Sequence, residues 1–163
     1  MTDQLTVGDE AVYAVGEVAI AIDPATGDIR WKHEHAGHCW CPPTVTDRNS
    51  TGGNVYFPVK SEEGGVRIVA LERTTGDVSW TDSTRDYSTL SPTTDGDRVY
   101  VGVDGGLQAL DATTGNPVWQ SDLPGGLLAP PTLHDGMLYL STGGHVVAVK
   151  TATGTLAWNT PID

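Results

Sequence analysis

The chain has 163 residues, with 21 acidic side chains against 9 basic ones, a formal charge of −12 and a pI near 4.5. Such a field argues against nucleic acid and anionic membrane surfaces as partners, because binding them requires Lys and Arg to neutralise phosphate. No apolar run approaches the length of a spanning helix, and the first residues lack the basic and apolar regions of a signal peptide. The sequence as given is therefore expected to be soluble and cytoplasmic, or exported if it belongs to a longer exported protein.

The acids are scattered through turns (Asp9, Asp28, Asp77, Asp82, Asp95, Asp122) and form no run, so they describe a solvated surface. With only three lysines, Lys32, Lys60 and Lys150, that surface suits hydration in high salt, and a salt-loving source is expected.

In chain order, the first predicted strand is Leu5-Thr6-Val7, in phase with Pro43-Thr44-Val45, Pro92-Thr93-Thr94 and Pro131-Thr132-Leu133. Each unit closes on an eleven-residue pattern, Ala-x-x-x-x-Thr-Gly-x-x-x-Trp, at Ala21–Trp31, Ala70–Trp80, Ala109–Trp119 and Ala148–Trp158. Its third position holds Asp23, Glu72 and Asp111, and Lys150 breaks that rule. The tryptophans are 49, 39 and 39 residues apart, so one supersecondary unit is repeated.

Between the inner run and the pattern lie short alternating segments such as Val99–Val103, Leu107–Leu110, Met137–Leu140 and Val146–Val149, separated by Gly and Asp turns. Runs this short, rich in Val, Tyr and Leu, predict strands. Each unit reads as a four-stranded antiparallel meander, too small to bury both faces alone. Radial stacking of such sheets is an all-β propeller.

The repeated pattern resembles the tryptophan-docking motif of the pyrroloquinoline-quinone dehydrogenase-like propellers, over nearly the whole chain. That superfamily holds quinoprotein alcohol dehydrogenases and also non-catalytic assembly and sensor propellers. The resemblance implies that each indole is sandwiched between the alanine of its own unit and the glycine turn of the adjacent blade. Trp31, Trp80, Trp119 and Trp158, with Gly27, Gly76, Gly115 and Gly154, would then be inter-blade fasteners, in preference to cofactor-stacking groups.

The expected architecture is one domain, 1–163, with blades near 5–35, 39–82, 88–122 and 128–160. These are four whole blades with no split blade to latch a ring. Three closures stay open: a four-bladed ring, a head-to-tail pair making eight blades, or a place in a larger assembly. Resembling propellers usually have six to eight. The partner is expected to be a second copy or an adjoining propeller segment, besides any protein that the scaffold binds.

Unit two is longer than its siblings, through Arg48–Asn54 and Ser61–Gly65, both read as extended loops. Just before it, His33-Glu34-His35-Ala36-Gly37-His38-Cys39-Trp40-Cys41 gathers three of five histidines and both cysteines. Alternation would put His33 and His35 on one face, and Cys39 and Cys41 together on another. Imidazole and thiolate bind zinc or copper, making His35, His38, Cys39 and Cys41 a candidate metal set. The spacing matches no usual zinc pattern. Register places Cys39 and Cys41 over Leu127 and Ala129, where free cysteine would pack as a small hydrophobe; a disulfide or redox pair is the third reading.

Quinoprotein alcohol dehydrogenases carry two adjacent cysteines over the cofactor, whereas Trp40 separates the pair here. The resemblance raises pyrroloquinoline quinone with calcium as a cofactor, but no set of Asp, Glu and Asn stands out to hold the metal. Arg48 and Asn49 follow the cysteines and read as loop residues. His134 and His145 read as lone histidines beside strands. The leading expectation is a non-catalytic propeller that binds or organises a protein partner. The alternatives are a component of a quinoprotein alcohol or sugar dehydrogenase, and a metal- or redox-responsive module.

Overall fold

A computed structural model describes residues 4–46, 53–83 and 87–162. The short apolar runs fold into four antiparallel sheets, each a meander in chain order. The first holds β1 (Gln4–Val7), β2 (Val12–Val15), β3 (Val18–Ile22) and β4 (Ile29–Glu34). The second holds β5 (Thr44–Val45), β6 (Asn54–Lys60), β7 (Val66–Glu72) and β8 (Val78–Asp82). The third holds β9 (Thr93–Thr94), β10 (Arg98–Val103), β11 (Gly106–Asp111) and β12 (Pro117–Asp122). The fourth holds β13 (Thr132–His134), β14 (Met137–Thr142), β15 (His145–Lys150) and β16 (Leu156–Pro161). These are blades of a β-propeller. The extra length of blade two shows in its seven-residue strands β6 and β7 and the turn between them; the Arg48–Gly52 part of its other loop lies outside the described residues.

Each blade carries one row of side chains across its three longer strands. Tyr13 pairs with Ala21 and Ala21 with Trp31, and the same order recurs as Tyr56–Ala70–Trp80, Tyr100–Ala109–Trp119 and Tyr139–Ala148–Trp158. The alanines are fully buried. A larger residue between them would force the two rings apart, whereas alanine lets Tyr and Trp centroids approach to 6.0, 5.8, 5.7 and 6.1 Å. The register slips immediately after every alanine, a bulge that sends the chain into the Thr-Gly turn.

The turn explains the rest of the pattern. The glycine N–H donates back to the carbonyl four residues earlier, from Gly27 to Asp23, Gly76 to Glu72, Gly115 to Asp111 and Gly154 to Lys150. The threonine hydroxyl accepts the N–H two residues on, as Thr26 does from Asp28 and Thr75 from Asp77. Where the third position is aspartate, its carboxylate caps the turn. Asp23 Oδ1 accepts from the N–H groups of Ala25 and Thr26, and Asp111 Oδ1 from those of Thr113 and Thr114.

The core lies between the blades. One buried cluster joins blades one and two through Tyr13, Trp31, Val55, Phe57 and Leu71. A second joins blades two and three through Tyr56, Trp80, Val99, Val101 and Leu110. A third joins blades three and four through Tyr100, Leu107, Leu138, Leu140 and Val149. The inner strands run side by side, β9 touching both β5 and β13.

Candidate functional site

Three seams between blades are built from the same parts. The indole of each blade lies on the glycine of the next. A Cβ added at Gly76 would fall 2.6 Å from Trp31 Cδ2, one at Gly115 2.6 Å from Trp80 Cδ2, and one at Gly154 2.5 Å from Trp119 Cε3. The indole N–H then donates to the carbonyl three residues before that glycine: Trp31 to Arg73 at 2.8 Å, Trp80 to Ala112 at 3.0 Å and Trp119 to Thr151 at 2.9 Å. The neighbouring tyrosines join in, Tyr13 donating to Arg73 O and Tyr56 to Ala112 O. Burial pushes the Tyr56 phenol up to about 12.

A second row of bonds, near the axis, was not anticipated from the sequence. Thr6 Oγ1 donates to the Pro43 carbonyl at 2.6 Å, Thr44 to Pro92 at 2.5 Å and Thr93 to Pro131 at 2.7 Å. The shared Pro-Thr phase was its visible signal.

The end blades lack these partners. Trp158 is 44% exposed, and a Cβ at Gly27 would meet nothing within 4 Å. The chain is thus an open arc, and the single-chain four-bladed ring is not formed.

The His/Cys passage does not gather into one set. Cys39 and Cys41 are buried in the core cluster between blades one and two, with sulfurs 3.9 Å apart and no disulfide. Their hydrogen bond splits the pair, raising Cys39, with burial adding to it, and lowering Cys41. His35 tilts against Phe57, with ring centroids 5.5 Å apart, and both its ring nitrogens are buried without a hydrogen-bond partner. Burial, with the nearby His33, Arg67 and His38, lowers it to about 4. His38 turns the other way. Its backbone bridges Lys60, and its ring stacks on Trp40 at 5.9 Å with Lys60 Nζ 5.9 Å from the indole. Among the described residues no three His, Cys, Asp or Glu side chains stand close enough to hold a metal ion.

A cleft of about 420 Å³ opens between blades two and three, lined by Thr46, Asn54, Glu72, Ser79, Asp97 and Thr113 among others. Several of its polar groups serve the fold. Asn54 donates to Ala112 O and accepts from Ser79, and Glu72 accepts from Thr75. Among the described residues, no arginine lines it. His134 is exposed beside Asp135, and His145 bonds Asn159, both at the surface of blade four. Arg48 and Asn49 lie outside the described residues.

A family model described as outer membrane protein assembly factor BamB matches residues 2–90 and 63–162. The chain belongs to this family. Among curated proteins, none matches the sequence. Among solved structures, BamB from Moraxella catarrhalis superposes with a TM-score of 0.71 at 22% identity, covering 95% of this chain and 51% of that one. A quinohemoprotein alcohol dehydrogenase from Comamonas testosteroni gives 0.68 at 20% identity, covering 97% and 35%. A europium-containing methanol dehydrogenase gives 0.73 at 17% identity, covering 98% and 42%. At these identities the likeness shows a shared propeller fold. The chain spans about half the length of the BamB structure it matches.

The calcium that accompanies the quinone cofactor of the dehydrogenase branch needs several converging oxygen ligands, and among the described residues no three His, Cys, Asp or Glu side chains stand close enough to hold an ion. The cysteines, separated by Trp40, sit in the inter-blade core.

Proposed function

We propose that the chain is a non-catalytic propeller scaffold that binds a protein partner, as an assembly factor does. The observation that carries this reading is how the reactive-looking side chains are used. Trp31, Trp80 and Trp119, the two cysteines and the cleft's Asn54 and Glu72 serve packing or turn bonds. What remains outside the repeat is a surface group, Trp40, 54% exposed, between His38 and Lys60. An exposed tryptophan beside a cation is the kind of anchor on which protein interfaces concentrate their binding energy. The group sits beside the β6–β7 turn of blade two, where His38 bridges Lys60.

Two measurements test the reading. Titration with pyrroloquinoline quinone and calcium should give neither cofactor absorbance bound to protein nor dye reduction; turnover with an alcohol would overturn the scaffold. Partner capture from the source lysate should depend on Trp40. A Trp40→Ala variant that retains every captured protein would remove this surface from the proposal.

A further inference from the structure

We propose that the two open ends of the arc are a matched docking pair, and that a second copy of this chain occupies both, closing an eight-bladed ring. This pairing does not depend on what the ring binds.

Each internal seam has a donating side and a receiving side. The donating side offers an indole and an inner-strand threonine. The receiving side offers a glycine turn, the carbonyl three residues before that glycine, and the carbonyl that precedes the next inner threonine. Blade four keeps a complete donating side in Trp158 and Thr132, neither of which has a hydrogen-bond acceptor across a seam among the described residues. Blade one keeps a complete receiving side in Gly27, the Pro24 carbonyl and the Leu5 carbonyl. Trp158 already holds the register of its siblings, opposite Ala148 and beside Tyr139 at 6.1 Å. Gly27 already holds the left-handed turn of its siblings, at φ 79° against 78°, 75° and 72° for Gly76, Gly115 and Gly154. Both halves are preformed, so docking needs no rearrangement.

The faces agree. Val12, Ala14, Ile20 and Ile22 of blade one are partly exposed. The matching positions of blade two, Val55, Phe57, Val69 and Leu71, are all buried under blade one. Leu5 and Val7 are 60% and 67% exposed, while the residues matching Leu5, namely Pro43, Pro92 and Pro131, are all buried. On the other end Tyr139 is partly open, whereas Tyr13, Tyr56 and Tyr100 are shut. The open faces therefore continue the series of inter-blade interfaces already present in the molecule. Charge does not oppose the contact. Residues 128–160 carry one acid, Asp135, and one base, Lys150, so a neutral blade four meets blade one, whose six acids and two bases leave it at −4.

Length selects the number of copies. This chain covers 51% of the BamB structure it superposes on, so two arcs make one ring of that size. A two-fold axis then gives two identical Trp158–Gly27 contacts and no free end.

Sedimentation equilibrium of the 163-residue chain tests this directly. The expected mass is twice 17.2 kDa, about 34 kDa. Trp158→Ala removes the donating side, and Gly27→Asn, which tolerates the left-handed turn, puts a Cβ where the incoming indole must lie. Each variant alone should weaken pairing about 30-fold or more while keeping the wild-type β-sheet circular dichroism spectrum. An equimolar mixture of the two should pair more tightly than either alone, because one of its two seams is then native. A wild-type monomer of 17.2 kDa, masses beyond two copies, or variants that pair like wild type would each overturn the proposal.

Discussion

The indole of Trp31 lies flat on Gly76, close enough that a single methyl group on that glycine would sit 2.6 Å from the ring. Two independent costs meet at this glycine. Its φ of 78° is disfavoured for any residue with a Cβ, by roughly 1–2 kcal/mol, and the added carbon displaces the ring from its carbonyl partner. Gly76→Ala and Gly115→Ala are expected to destabilise the fold by about 3 kcal/mol each. Gly144→Ala has a similar φ of 85° but open space around it, and should cost only about 1 kcal/mol. Urea unfolding of the three variants checks the difference; equal losses would mean that the ring contact contributes nothing.

The inner row of threonines offers a cleaner deletion. Thr44→Val and Thr93→Val keep the side-chain shape but leave the Pro92 and Pro131 carbonyls without these donors. Each is expected to cost about 1 kcal/mol. Thr132 has no acceptor across a seam among the described residues, so Thr132→Val should leave the stability of the isolated arc unchanged. Unfolding the variants at concentrations below pairing tests this, and a loss at Thr132 equal to that at Thr93 would contradict the repeated seam.

Much of the seam was legible in the sequence because every letter of the pattern has a fixed task. Alanine leaves room between two rings, threonine and aspartate cap the turn, and glycine both adopts the left-handed turn and receives the next indole. The tyrosine that completes each row was not legible as part of it. Its distance to the alanine varies with hairpin length, from eight residues at Tyr13 to fourteen at Tyr56. The His/Cys passage was legible in composition only. Alternation foretells side-chain direction along a strand, but β4 ends at Glu34, and Gly37, at φ 123°, bends the chain against Lys60. That bend sends His38 out onto Trp40 and Cys39 into the core.

His35 should make stability depend on pH. Its folded value, about 4, lies below the ordinary 6.5, so the unfolded chain takes up the proton first. The contribution is fully present above about pH 6.5 and is lost as pH falls toward 4. Because the ring is only partly buried, the loss is expected to be modest, about 1 kcal/mol. His35→Leu should flatten the difference between pH 7 and pH 4.5, measured by chemical unfolding. A variant that keeps the wild-type slope would show that the imidazole takes up its proton equally in the folded and unfolded chains.

The charge of −12 should make the molecule salt-responsive. Screening shortens the reach of repulsion to about 3 Å at 1 M salt, so the melting temperature should rise by several degrees between 0.05 and about 1 M potassium chloride. Sucrose, which carries no charge, serves as the control. A flat response to salt would mean that the acids are spaced too widely to repel one another.

The indole N–H signals of ¹⁵N-labelled protein report every seam at once. Trp31, Trp80 and Trp119 donate to backbone carbonyls across a seam, and Trp40 is solvent-facing. In concentrated solution, hydrogen exchange should show four slow indole protons, Trp158 included, and one fast proton from Trp40. A fast Trp158 would contradict docking on a second copy, and fast exchange at Trp31, Trp80 or Trp119 would contradict the seams themselves.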